Sequence, residues 1–120
     1  MWALHYTKSL EVSGRFHLII WPEHCIIGTS GHCLVDDVSK AIQEWEMATG
    51  KTAEFVLKGL QNLTEMYSVL QAEVPVCDAS MFNQELFDSL MSGDELWIAG
   101  QAASHCVNYT TRQEHLLLCK

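Results

Sequence analysis

The chain has 120 residues, of which 48% are hydrophobic and 18% are charged. This balance excludes a disordered chain, and the length suits one domain with a core of its own. Seven basic against fifteen acidic side chains give a net charge of −8. Nucleic acid and anionic membrane surfaces would repel such a chain, so neither is expected as a partner.

The expected localisation of the protein follows from its apolar runs, its first residues and its cysteines. No apolar run approaches the ~20 residues that a membrane span requires. The first residues show no basic leader followed by an apolar stretch, so no secretory signal is visible and we expect a cytoplasmic protein. The five cysteines are an odd number without a C-x-x-C pair, and we expect them to be reduced thiols.

The first third of the chain predicts a helix, a strand and a loop. Apolar residues over 2–12 predict a helix of modest regularity that stops at Ser13 and Gly14. The apolar run over 16–21, ended by Pro22, predicts a buried strand. The glycines, histidines and cysteines of residues 22–33 predict an irregular loop.

The middle of the chain predicts one clear helix. Apolar residues three and four apart over 35–48, with Gly50 just beyond, predict an amphipathic helix with an ordinary stop. Residues 52–57 predict a second short strand, which ends at Lys58. Residues 60–79 show no clean period, and we expect them to wrap the surface.

The last third predicts helix, strand and helix. A helix is predicted over 82–91, a strand over 96–99, and after Gly100 a helix from about Ser104 onward. Strands separated by helices predict one α/β domain over 1–120, a three-layer α/β/α arrangement with a parallel sheet. Three strands are few for a parallel sheet covered on both faces, so we expect a partial domain.

Cys106 is the first candidate for chemistry. It lies in the first turn of a predicted helix that follows an apolar strand, which places it at the carboxyl edge of the predicted sheet. The backbone N–H groups and the positive end of the helix dipole favour a thiolate there. The alternative is a small buried hydrophobic residue, which is the commoner role of a free cysteine.

Lys58 is the second candidate. Because it ends the predicted strand over 52–57, it would lie at the same sheet edge as Cys106. An ammonium group at that position would stabilise a thiolate and then an oxyanion. The alternative is a solvated lysine at a strand end.

The loop over 22–33 contains four candidate zinc ligands, His24, Cys25, His32 and Cys33. Adjacent His-Cys pairs do not reproduce the usual spacings of zinc ligands, so we expect no bound metal and no cofactor. We expect the two cysteines to pack and at least one histidine to face a pocket. His105 is a candidate base, but neighbouring positions at a helix start point in different directions, so we place it at the rim.

Three segments together resemble the isochorismatase-like cysteine hydrolases, the superfamily that includes the nicotinamidases. The first is W-P-E-H-C-I-I-G-T-S-G over 21–31, similar to the family's W-P-x-H-C-x-x-G-T-x-G loop. The second is K-G at 58–59 with Y-S at 67–68. The third is G-Q-A-A-S-H-C-V over 100–107, similar to the nucleophile turn G-x-A-x-x-x-C-V.

The resemblance implies a role for each matching residue. Cys106 would be the nucleophile and Lys58 the catalytic lysine. The peptide bond between Gln101 and Ala102 would be cis, and the amides of Ala102 and Cys106 would face an oxyanion. Trp21, His24 and Tyr67 would line the substrate pocket, although on base rates Trp21 and Tyr67 are more often core residues. Metal-containing members of the family use the histidine that matches His24 as a ligand.

The family's catalytic aspartate ends its first strand within a D-x-Q segment, and this chain has no such segment. The D-x-H pair of the family's metal site and the C-terminal strands are missing as well. We therefore expect part of a hydrolase that cleaves an amide or related C–N bond of a small molecule through a Cys106 thioester, and that is nearly inactive alone. A non-catalytic binding or oligomerisation module and a small metal-binding module over 24–33 are the alternatives, and self-association stays open.

Overall fold

The described part of the chain forms four α-helices: α1 spans Trp2–Ser13, α2 Asp36–Thr49, α3 Gln84–Leu90 and α4 Cys106–Leu118. The structure is a computed structural model that describes residues 1–13 and 16–118, the last five of these by their backbone alone. The four helices predicted from the sequence are confirmed, with ends that differ by one or two residues. Gly14, part of the predicted stop of the first helix, lies outside the described residues.

The predicted strands are wrong. No segment within residues 1–13 and 16–118 forms a β-strand, and residues 16–21, 52–57 and 96–99 have irregular backbone. The three-layer α/β/α fold with a parallel sheet is therefore wrong as well. An apolar run favours burial, but a strand also needs a neighbour that pairs with its N–H and C=O groups. Residues 96–99 make no backbone hydrogen bond to any described residue, and Trp97 is 88% exposed.

The chain forms two compact units. The first unit consists of residues 1–18 and 57–120, and the second of residues 19–56. Helices α1, α3 and α4 belong to the first unit, and α2 belongs to the second. None of the helices in the described part of the chain has the length and apolar content needed to cross a membrane.

The buried core lies in the first unit. Its most buried apolar residues are Tyr6, Leu10, Leu70, Ala72 and Leu86. Helix α1 is tied to the segment around residue 64 by two side chains. The Trp2 indole Nε1–H donates to the carbonyl of Leu63 at 2.7 Å, and the Tyr6 hydroxyl donates to Oε2 of Glu65 at 2.8 Å.

The segment 60–79 lies mostly at the surface, as predicted, but its middle contributes to the core, which was not predicted. Ser68, Leu70 and Ala72 are buried at every second position, which is the period of one face of an extended chain. The backbone N–H groups of Ala72 and Asn83 donate to the carbonyls of Ser80 and Leu70, at 3.1 and 2.8 Å. The alternation was hidden in the sequence because two of the three buried residues are small and one is polar.

The second unit has no buried residue. Residues 22–33 form the predicted irregular loop, with one short 3-10 turn at Ser30–His32. Helix α2 ends at Gly50, whose φ of 67° lies in the left-handed region that favours glycine. The apolar face of this helix is only partly covered, because Val38 and Trp45 are 46% and 44% exposed.

Candidate functional site

The turn before α4 positions Cys106 as the first residue of that helix. The carbonyl of Ala102 accepts hydrogen bonds from the backbone N–H groups of His105 and Val107, at 3.0 and 3.3 Å. These two bonds fix the turn against the start of the helix. The peptide bond between Gln101 and Ala102, for which the resemblance implied a cis geometry, is cis.

Lys58 and Cys106 are in direct contact, although 48 residues separate them in the sequence. The Nζ atom of Lys58 lies 3.2 Å from the Sγ atom of Cys106. The same Nζ atom donates a hydrogen bond to the carbonyl of Met66 at 2.9 Å. The carbonyl and the sulfur together hold the amine in one place, with Cys106 partly buried and Lys58 exposed.

Two features of positive charge lie next to the sulfur. An ammonium group at 3.2 Å attracts a thiolate, and the N-terminus of α4 adds the positive end of a helix dipole. Because Lys58 is exposed to solvent, salt screens part of this attraction. The pair is therefore suited to nucleophilic attack by sulfur, since the thiolate is the reactive form of cysteine.

Two backbone amides for which the resemblance implies an oxyanion-binding role make no hydrogen bond within the described residues. Neither the N–H of Ala102 nor the N–H of Cys106 donates a hydrogen bond to any residue that the structure describes. Both residues flank the same short turn, whose fold is held by the Ala102 carbonyl. Backbone amides of this kind stabilise the negative oxygen that forms when a nucleophile attacks a carbonyl group.

An aromatic cluster lies beside the turn. The ring of Tyr67 stacks on Tyr109 with a centroid distance of 5.5 Å, and Phe16 meets Tyr67 edge-on at 4.9 Å. The ring of His105 is 5.4 Å from that of Tyr67, and its Nδ1 atom lies 2.8 Å from the hydroxyl of Ser104. Tyr67 thus lies between Met66, which binds Lys58, and the residues that flank Cys106.

The remaining predicted pocket residues belong to the second unit. Trp21 is exposed, and Nδ1 of His24 lies 2.6 Å from the carbonyl of Pro22. Lys58, Tyr67 and Cys106 all belong to the first unit. The pocket role of Trp21 and His24 stays a prediction from the resemblance.

The loop with the candidate zinc ligands is open. Within the described residues, no three His, Cys, Asp or Glu side chains are arranged to hold a metal ion. The prediction that Cys25 and Cys33 pack is wrong, because both are exposed. The reason is that the second unit buries no residue that these thiols could pack against.

One contact of the site was not foreseen from the sequence, and one absence was expected. The carbonyl of Met66 holds Lys58, and a backbone group leaves no signal in the residue pattern. No carboxylate of the described residues contacts Nζ of Lys58 or Sγ of Cys106. The group that would carry a proton to a leaving nitrogen is thus not among the contacts of the pair.

Comparison of the chain with protein-family models, with curated proteins and with solved structures finds no match in any of the three. The family resemblance therefore rests on the three sequence motifs. The contact between Lys58 and Cys106 is a separate structural observation, made on the two residues to which those motifs assign the chemistry.

Proposed function

We propose that the chain carries the nucleophilic part of a cytoplasmic cysteine hydrolase that cleaves an amide or related C–N bond of a small molecule. The observation that carries the proposal is the 3.2 Å contact between Nζ of Lys58 and Sγ of Cys106. The amides of Ala102 and Cys106 and the position of the sulfur at a helix start support it. The three motifs that resemble isochorismatase-like hydrolases agree with the same assignment.

The reaction begins with attack of the Cys106 thiolate on the substrate carbonyl carbon. The carbonyl oxygen becomes an oxyanion, which the amides of Ala102 and Cys106 and the Lys58 ammonium stabilise. The C–N bond then breaks, the nitrogen leaves with an added proton, and a thioester remains on Cys106. Water hydrolyses the thioester to a carboxylic acid and restores the thiol.

The weak step is proton transfer. The leaving nitrogen needs a general acid and the attacking water needs a base, and the family assigns both tasks to an aspartate that this chain does not match. The loss of a general acid–base group typically slows a reaction by ~10²–10⁴-fold. Both the formation of the thioester and its hydrolysis are affected, so we expect the 120-residue chain to keep a reactive thiol but to cleave amides slowly.

A second candidate function is a non-catalytic binding module. It is favoured by the second unit, which has no buried residue and exposes Trp21, Val38 and Trp45 among other apolar side chains. Exposed apolar patches are typical of surfaces that bind other proteins. This alternative needs no reactive thiol, so thiol reactivity distinguishes the two functions.

The test is alkylation with iodoacetamide near neutral pH, mapped by mass spectrometry. Cys106 should react first, ahead of the more exposed Cys25 and Cys33, because nearby charge rather than exposure controls thiolate formation. The variant Lys58→Met should slow alkylation of Cys106 about tenfold by removing the ammonium group. Lys51→Met, a matched loss of an exposed lysine, should leave the rate unchanged.

Two results would contradict the proposal. If Cys25 or Cys33 is labelled ahead of Cys106, Cys106 is not the nucleophile. If the alkylation rate of Cys106 is unchanged in Lys58→Met, the lysine does not activate the thiol. Ammonia release from a panel of small amides completes the test. We expect slow release that Cys106→Ala abolishes.

A further inference from the structure

The first unit contains a cleft whose lining includes none of the residues assigned to catalysis. Its volume is about 240 Å³, and it is lined by Trp2, Ala3, Tyr6, Leu18 and the segment 62–65. Pockets for drug-sized ligands measure roughly 300–1,000 Å³, so this cleft suits a more compact molecule. Helix α1 forms one wall, and the segment 62–65 forms another.

The apolar part of the cleft is held rigidly. The indole Nε1–H of Trp2 donates to the carbonyl of Leu63 at 2.7 Å, which fixes the indole ring against the opposite wall. The rings of Trp2 and Tyr6 lie 6.4 Å apart between centroids on successive turns of α1. A fixed indole ring offers a flat apolar surface, and its face attracts cations.

The polar part of the cleft is a carboxylate without a cationic partner. Oε2 of Glu65 accepts the Tyr6 hydroxyl at 2.8 Å, and the backbone N–H of Glu65 donates to that hydroxyl at 3.1 Å. Within the described residues no lysine, arginine or histidine pairs with Glu65, which is partly buried. The second oxygen, Oε1, accepts no hydrogen bond from those residues and can accept one from a ligand.

We propose that this cleft binds a small organic ammonium ion. The ammonium group would donate to Oε1 of Glu65, and the apolar part would lie against the ring of Trp2 and the side chain of Leu18. A charge-assisted hydrogen bond to Glu65 favours a protonated amine over a neutral molecule of the same shape, and the Trp2 ring offers a flat apolar surface to the rest of the ligand. An anion is disfavoured by Glu65 and by the net charge of −8.

The test uses 2-phenylethylamine, with 2-phenylethanol as the uncharged molecule of similar shape. Binding is followed by the shift of the Trp2 indole N–H in a ¹H–¹⁵N spectrum, and the variant Trp2→Phe assigns that signal. The amine should shift the signal saturably, and the alcohol should bind at least tenfold more weakly. Glu65→Gln should weaken amine binding at least tenfold, whereas Glu85→Gln, at an exposed carboxylate of α3, should not.

Equal binding of the amine and the alcohol would overturn the proposal, as would the absence of a saturable shift with the amine. Equal binding of the amine to the unmodified chain and to Glu65→Gln would overturn it too. The comparison of the amine with the alcohol uses the unmodified chain, so it decides the question independently of how the variants fold. None of these outcomes bears on the reactivity of Cys106.

Discussion

Helices α1 and α2 have similar lengths, 12 and 14 residues, but only α1 contributes to a core. The apolar spacing is more regular in α2, yet none of its residues is buried, whereas α1 buries Tyr6 and Leu10. An amphipathic pattern is therefore enough to predict a helix here and not enough to predict what covers it. Whether the apolar face of a helix is buried depends on the residues that the rest of the chain packs against it.

The difference lies in the partners of the two helices. Two side chains of α1 bind the segment 63–65, which continues into the buried residues Ser68, Leu70 and Ala72. The side chains of α2 instead bind residues just beyond the end of the helix: Oε1 of Glu46 accepts the N–H of Ala53 at 2.8 Å, and the Thr49 hydroxyl accepts the N–H of Lys51 at 3.3 Å. Regions with few buried apolar contacts unfold locally at a small cost in free energy. We therefore expect the first unit to hold most of the stability.

The largest expected effect is loss of the core side chain Leu10, which is 1% exposed. The substitution Leu10→Ala should lower the free energy of unfolding by about 2–5 kcal/mol, because it removes apolar contacts and leaves a cavity. Urea unfolding followed by circular dichroism measures this change. Leu4→Ala on the same helix and Val38→Ala on α2 remove exposed groups and should each change it by less than about 0.5 kcal/mol.

A Val38→Ala effect as large as that of Leu10→Ala would contradict the comparison. It would mean that the apolar face of α2 is covered in solution. A small effect of Leu10→Ala would mean that α1 does not contribute to the core.

An intermediate effect is expected from pH. Burial, reinforced by the Glu65 carboxylate that accepts its hydrogen bond, raises the pKa of Tyr6 from 10.0 to about 12. Because the folded state holds this proton more tightly than the unfolded chain, the stabilisation is complete below pH 10 and is lost as pH rises from 10 to 12. Unfolding free energies measured from pH 8 to 12 should show this decline.

In the variant Tyr6→Phe, the unfolding free energy should fall less steeply between pH 10 and 12 than in the unmodified chain. Tyr109→Phe should show the same fall as the unmodified chain. Tyr6→Phe should also be less stable at neutral pH by about 1 kcal/mol, because the hydrogen bonds between Tyr6 and Glu65 are lost. If the unfolding free energy falls equally steeply with pH in Tyr6→Phe and in the unmodified chain, the raised pKa of Tyr6 is not the cause of the decline.

The smallest expected effect concerns helix starts, which also differ between the units. In the first unit, Oδ1 of Asn83 accepts the N–H of Leu86 at 3.0 Å and caps α3, whereas Val35 before α2 makes no such bond. Asn83→Ala should lower the free energy of unfolding by about 1 kcal/mol, measured by thermal unfolding. Gln84→Ala removes only an exposed side-chain bond to Asp88 and should have a smaller effect.

The candidate site shows how a correct contact can follow from an incorrect fold. Lys58 and Cys106 were expected to meet at the edge of a parallel sheet, and they do meet, but no sheet is present in the described residues. The contact is made instead by the turn that starts α4 and by the carbonyl of Met66. Glu65 and Trp2 were not foreseen, because a single carboxylate and a single indole are too common in sequences to indicate a cleft.

The sequence by itself determined the local structure of this protein. The four helices, the stop at Gly50 and the turn before Cys106 depend on spacing, glycine conformation and bonds between residues a few positions apart. The tertiary structure alone decided which apolar residues are buried, because burial and strand pairing need a partner that is distant along the chain. For the same reason, only the folded chain places the Lys58 amine against the Cys106 sulfur and leaves the apolar face of α2 half exposed.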